Sequence, residues 1–258
     1  MRPEVLIAIL SAAVALVSIL VTARTAHRTT VVAHELQEQT RERTKGDLAD
    51  ELFRRYQDPL RWAAESLQSR LYNVIRCGLL PRYLHCGDPE DERYVVDNTV
   101  YVLAEYLGWV ELLRRDHRFL DDKADKNVGD VLGIIQRIHE TLATDSLQGP
   151  FRLFRGQQRA IGELMLTWTE SPAGRIRDVR GYAEFSYLLV KDEGFRSWFA
   201  RLQAEVPAIQ HTDDHGNQRL SQLHDDLLDL LDLLHPGESP RPSEGKSRLA
   251  VRRRRERQ

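Results

Sequence analysis

"YVVDNTVYVLAEYLGWVELLRRDHRFL", residues 94–120, is apolar on nearly every side when wound as a helix. A surface helix keeps one polar face, so a helix without one is touched by neighbours all round. This stretch therefore predicts the central helix of a bundle, and the rest of the fold follows from what packs on it.

Candidate neighbours lie on both sides. In "DPLRWAAESLQSRLYNVIR", residues 58–76, Asp58 and Pro59 read as the N-cap and first turn of a new helix. That helix buries Leu60, Ala64, Leu67, Leu71 and Val74 or Ile75 and stops at Gly78. The connection "LLPRYLHCGDPEDER", residues 79–93, holds two prolines and a turn at Gly87 and Asp88, and reads as irregular. Downstream, residues 127–143 set Val128, Val131 or Leu132, Ile135, Ile138 and Leu142 on one face.

Two shorter helices, 182–190 and 193–206, bury Phe185, Tyr187, Phe195, Trp198 and Phe199, and Pro207 closes the second. The last, "NQRLSQLHDDLLDLLDLLH", residues 217–235 with Asn217 as cap, sets leucines against Asp225, Asp226, Asp229 and Asp232, taken as its wet side. No run alternates with period two for long enough to predict a strand. The fold class is all-α.

The least ordinary stretch is "FRLFRGQQRAIGEL", residues 151–164. Read as a helix over 151–168, it places Phe151, Phe154, Gln158, Ile161, Met165 and Trp168 on one stripe and Arg152, Arg155 and Arg159 beside it. With Arg175, Arg177 and Arg180 of the polar loop "ESPAGRIRDVRG" that follows, these arginines are candidates to cradle an anion or nucleotide, since guanidinium groups contact such oxygens in pairs. The favoured reading is structural. Glu105 and Glu111 lie within the hydrophobic central helix, buried carboxylates need partners, and Arg155 or Arg159 can supply them. Gly156 and Gly162, with Gly108 across from them, would let the helices approach closely.

Little else suggests chemistry. The sequence holds no GxSxG, GxxxxGK[ST] or GxGxxG. Cys77, His85 and Cys86 have no clear fourth zinc ligand, and two cysteines suit a reducing compartment. His211 and His215 are spaced like a helical metal pair but sit in an expected loop, without the glutamate of HExxH. "HDD", residues 224–226, hints at a helical metal phosphohydrolase, but no later helix follows to bring a further aspartate. Neither a metal nor a cofactor is expected, and a non-enzyme is favoured over an enzyme.

The ends of the chain point to a membrane. Residues 5–23, "VLIAILSAAVALVSILVTA", run nineteen residues without a charge, Gly or Pro. At ~1.5 Å per residue they cover a hydrocarbon layer of ~30 Å. A cleaved signal peptide ending near Ala23 is the rival, disfavoured by the acid in "MRPE" and by the length of the run. Only Arg2 precedes the span, whereas Arg24, Arg28, Arg41, Arg43 and Lys45 follow it, so the positive-inside rule puts the N-terminus outside and the remainder in the cytoplasm of a single-pass cell-membrane protein. The formal charge of −2 hides a tail of +6 from Lys246 onward, so everything before the tail carries −8. In that Pro-, Ser- and Arg-rich tail, expected to be disordered, Arg252, Arg253, Arg254 and Arg255 are candidates to contact anionic lipid. Nucleic-acid phosphate is the weaker alternative, and plain solubilising charge the bland one.

The expected organisation is an anchor over 1–24, a helical stalk over 25–57, a helical bundle over 58–235 and a basic tail over 236–258. Broken heptads at Val32, Leu36, Leu48 and Leu52 leave a homodimer through the stalk open. The segments "DPLRWAAESLQSRLYNVIR", "NTVYVLAEYLGWVELLRRDHRFLD" and "FRLFRGQQRAIGELM" resemble those of an uncharacterised group of bacterial membrane-anchored helical proteins, over roughly residues 1–205. The resemblance implies architecture and bacterial source; it brings no activity, cofactor or catalytic residue. Two functions follow: a membrane-tethered interaction or sensor module with an unknown protein partner, or a helical enzyme or anion-binding protein built on Arg152, Arg155 and Arg159.

Overall fold

The computed structural model describes residues 53–117, 126–172, 174–209 and 216–234, together with Gln37. The expected anchor, the rest of the stalk up to residue 52, the loop carrying His211 and His215, and the basic tail with Arg252 to Arg255 lie outside the described residues. The chain divides at Leu48 into two units, and every element below belongs to the second, which begins at Ala49.

Helix α1 runs through residues 53–75. It is already helical at residue 53 and continues through Asp58 and Pro59, so the fresh start expected there is absent. Pro59 forfeits one intrahelical hydrogen bond. Against that loss, Tyr56, Leu60, Ala63, Ala64, Leu67 and Leu71 are buried on one face, and each buried leucine contributes about 1.5–3 kcal/mol. Gly78 takes the left-handed conformation at φ 64° and turns the chain into the short α2, Leu79–Tyr83.

Helix α3, Pro89–His117, is the central one. Asp88 starts it, its Oδ1 accepting the Glu90 N–H at 2.8 Å. The "irregular" connection thus supplies α2 and the first turn of α3. All residues from Thr99 to Ala104 are buried, and α3 packs against α2, α5, α6, α7 and the hairpin described below. The expectation for residues 94–120 holds as far as the described end at His117.

Helix α4, Lys126–Ala143, buries the expected Val128, Val131, Ile135, Ile138 and Leu142. It lies against α8, Gln218–Leu234. Helix α5, Arg155–Leu164, is shorter than the helix expected over 151–168. Phe151 sits at φ 65° and Phe154 is extended, so no helix can begin before Arg155. After Met165 the chain leaves helical geometry altogether. Strands β1, Leu166–Ser171, and β2, Gly174–Val179, pair antiparallel with Trp168 opposite Arg177 and Glu170 opposite Arg175. The polar loop is therefore one arm of a hairpin. Thr167, Trp168, Thr169, Ile176 and Val179 are β-branched or aromatic residues that suit it, and Val179 docks it on Gly108 of α3. The domain remains predominantly helical, as the all-α reading requires, with this one hairpin added.

Helices α6, Tyr182–Lys191, and α7, Glu193–Ile209, close a ring cluster in which Phe185 lies 5.0 Å from Phe199 and 5.4 Å from Tyr101. Tyr187 and Trp198, expected inside, are exposed, as are Phe154 and Trp168 of the supposed stripe. Pro207 does not close α7, which continues to Ile209. Among the described residues no helix is long and apolar enough to cross a membrane.

Candidate functional site

The six arginines singled out in the sequence do not converge. Arg152 pairs with Asp145 and lies over the Phe154 ring. Arg155 reaches Gln136 at 2.9 Å and Glu140 at 3.3 Å on α4, and Arg159 approaches Glu163 at 3.7 Å on its own helix. On the hairpin, Arg175 and Arg177 lie 5.6 and 5.5 Å from the Trp168 ring, with Glu170 at 3.4 Å and Asp116 at 4.0 Å as their carboxylates. Arg180 holds the Leu164 carbonyl at 2.9 Å and pairs with Glu184. Each of the six has a carboxylate neighbour, and they form no single cradle: Arg155 and Arg159 share one cleft, Arg175 and Arg177 share the Trp168 ring, and Arg152 and Arg180 line neither.

The glutamates of α3 also find other partners than expected. Glu111 is buried and receives Arg114 at 2.6 and 2.7 Å and Arg115 at 2.7 Å, both from its own helix, rather than Arg155 or Arg159. Burial pushes its carboxyl up, but the hydrogen bonds from Arg114 and Arg115 together outweigh burial and hold it below the ordinary glutamate value. Arg115 then reaches Glu163 of α5 at 3.3 Å. The α3–α5 seam therefore carries an ion pair of the opposite polarity to the one expected. Its close approach is as the glycines suggested: a Cβ on Gly162 would stand 2.6 Å from the Leu107 carbonyl oxygen, and one on Gly108 would stand 2.9 Å from Met165. Gly156 faces open space and takes no part. Glu105 meets no arginine; its Oε1 accepts the Tyr101 hydroxyl at 3.0 Å, and burial raises its carboxyl above the ordinary value.

Helix α8 is the largest revision. Asp225 and Asp226, assigned to its wet side, are buried. Asp226 receives Arg137 at 2.9 Å, Thr141 at 2.7 Å and Gln222 at 3.0 Å. The fully buried His224 lies 2.8 Å from the Gln68 amide nitrogen and 3.1 Å from Asp225. The Gln68 amide donates to Nε2, so the ring proton sits on Nδ1 and points at Asp225. Arg219, 1 % exposed, donates to the carbonyls of Thr141 and Leu147 at 2.7 Å and of Leu142 at 3.3 Å, closing the C-terminal end of α4. Nothing in local spacing announced these roles, because every partner but Asp225 and Gln222 lies tens of residues away. Among the described residues no three His, Cys, Asp or Glu side chains gather as metal ligands, and Cys77 and Cys86 are exposed thiols.

Two clefts open on this scaffold. One, of about 370 Å³, has a floor of Val110, Leu113, Leu132 and Ile135 beneath Arg114, Arg155 and Arg159. His139 borders it, pinned by the buried Gln158 and, through burial, with its ring pKa below the ordinary value. The other, of about 690 Å³, lies between α1 and α3. Its α1 wall is polar, formed by Ser66, Ser69, Arg70 and Asn73, and its α3 wall carries Tyr94, Asn98, Tyr101 and Glu105. Arg70 donates to the Asn98 side-chain oxygen and lies 5.8 Å from the Tyr94 ring centroid. Sequence reasoning missed this second cleft. The signal was available as polar residues at helical spacing on two neighbouring helices, 66, 69, 70, 73 and 94, 98, 101, 105.

Comparison with protein-family models, with curated proteins and with solved structures finds no match to this chain.

Proposed function

We propose that this chain is a membrane-tethered helical sensor or interaction module of a bacterial cell, anchored once by residues 5–23, with its N-terminus outside and its helical domain in the cytoplasm. The observation that carries the sensor reading is that α1 forms a wall of the 690 Å³ cleft and is, in sequence, the direct continuation of the stalk. A ligand in that cleft bears on the helix that follows the expected stalk in sequence. The tail, with Arg252, Arg253, Arg254 and Arg255, adds a contact to anionic lipid at about 1 kcal/mol per basic residue near the surface. The rival anion site on Arg152, Arg155 and Arg159 is weakened by the carboxylate beside each of them.

The test is topological. The full-length chain should stay with membranes through alkaline carbonate extraction, and a chain starting at residue 25 should not. A reporter active only outside the cytoplasm, fused after Gln258, should stay silent. Extraction of the full-length chain, or an active reporter, would overturn the reading.

A further inference from the structure

Among the described residues, the six arginines above, Glu111 and Asp226 all meet an opposite charge. Arg70 and Glu105, among the described residues, meet only neutral groups, as the buried Arg219 does with backbone carbonyls, but unlike Arg219 they line a cleft. Arg70 bonds the Asn98 amide oxygen and stacks on Tyr94, and Glu105 accepts the Tyr101 hydroxyl at 3.0 Å. Both line the same cleft, Arg70 from α1 and Glu105 from α3. A half-buried charge without a counter-charge is costly, and a ligand that brings the missing charge relieves that cost. Burial raises the Glu105 carboxyl, as expected where no cation compensates it.

We propose that the cleft between α1 and α3 binds a small zwitterion, its carboxylate on Arg70 and its ammonium group on Glu105. Guanidinium is the side chain best matched to a carboxylate. At the other end, the Tyr101 hydroxyl fixes the Glu105 carboxylate. The spacing sets the length of the ligand. Asn98, which holds Arg70, and Glu105 are seven residues apart on one helix, or about 10 Å at ~1.5 Å per residue. That separation suits a dipeptide or an ω-amino acid, with its charges at opposite ends, rather than a free α-amino acid. Asp91, also on the cleft, is exposed and screened by solvent. The proposal takes its purpose from the sensor reading, but binding is measured on purified protein and anchoring in membranes, so each can fail without the other.

The experiment is isothermal titration calorimetry on the full-length chain in neutral detergent, with alanyl-alanine and 6-aminohexanoate as probes. N-acetyl-alanyl-alanine and alanyl-alanine methyl ester remove one charge each without touching the protein. The expected result is saturable binding of at least one zwitterion and at least ten-fold weaker binding of both controls. Glu105→Gln and Arg70→Gln should each weaken binding by ten-fold or more, Arg70→Lys by less, with circular dichroism melts confirming that the variants fold. Three outcomes would overturn the proposal: no saturation by either zwitterion at about 10 mM, far above a tight site's Kd; equal binding of the methyl ester, which would make this a simple cation site; or unchanged affinity in folded Glu105→Gln and Arg70→Gln variants.

Discussion

Arg219 and Arg155 both reach across to α4, yet they are held in opposite ways. Arg219 is 1 % exposed and gives its hydrogen bonds to three backbone carbonyls at the end of α4 and just beyond it, of which Leu142 also accepts the Leu153 N–H at 2.9 Å. Arg155, its side chain 48 % exposed, touches Gln136 and Glu140 through water-accessible space. The contrast extends across the molecule. Junctions between helices hold a few charges and glycines in fixed, dry settings, whereas α5 and the hairpin display many arginines in wet ones. Abundance of arginine drew attention to the fringe; burial and number of partners place the stability at the junctions.

The sharpest way to break this contrast is Arg219→Met, which keeps much of the volume and removes every donor. It strands the Thr141 and Leu147 carbonyls at about 1–3 kcal/mol each before relaxation, while Leu142 keeps the Leu153 N–H, so urea unfolding of the full-length chain should show a loss of about 3 kcal/mol. A loss below about 1 kcal/mol would mean that water replaces the guanidinium, and that the α4 end is not a dry junction.

Next in size is Gly162→Ala. The new methyl would meet the Leu107 carbonyl at 2.6 Å and the Glu111 Cβ at 2.8 Å, neither of which is a flexible side-chain end. Overpacking of this kind costs about 1–3 kcal/mol. Gly156→Ala, on the same helix but facing open space, should be neutral or stabilising by up to about 1 kcal/mol through helix propensity. Equal melting temperatures for the two variants would remove the case for a tight α3–α5 seam.

The Glu111 junction is read through pH. Its carboxyl is held below the ordinary 4.5, so the folded state favours the ionised form. That stabilisation is complete above the unfolded value and fades as pH falls through the folded one. Glu111→Gln should therefore cost about 1–2 kcal/mol near neutrality, and the gap to the unaltered protein should narrow below about pH 4.5. A gap that widens on acidification would contradict the assignment of Arg114 and Arg115 as partners of the ionised group.

How much of this was legible depends on how far apart in sequence the partners lie. The helices were readable because their apolar spacing is local: Leu60 to Leu71 on α1 and Val128 to Leu142 on α4 fall on their faces as expected. The close approach at Gly162 was readable because only glycine leaves room for a backbone. The hairpin was not, since Leu166–Ser171 and Gly174–Val179 are too short to show alternation and follow a good helical run. The partners of Glu111 were misassigned because Arg114 and Arg115, one turn away, compete better than an arginine on another helix. Asp226 looked wet because its neighbours Asp229 and Asp232 share its chemistry; burial by Arg137 and Thr141 of α4 is a tertiary fact with no local mark.

The smallest expected effect tests the other side of the contrast. In the double variant Arg155→Ala, Arg159→Ala, each arginine loses one long, half-exposed ion pair, to Glu140 at 3.3 Å and to Glu163 at 3.7 Å. Exposed pairs contribute about 0–1 kcal/mol and weaken with salt. Glu163 keeps Arg115 at 3.3 Å and Gln136 keeps Glu140 at 2.9 Å, so no buried group is stranded. The melting curve should therefore shift by no more than about 0.5 kcal/mol per site, and raising salt should shrink even that difference. A loss as large as that of Gly162→Ala would show that the arginines roof the apolar floor of Val110, Leu113, Leu132 and Ile135 with their hydrocarbon stems. In that case lysine at both positions should restore stability, whereas an electrostatic role fixed by guanidinium geometry would leave the lysine variant as weak as the alanine one.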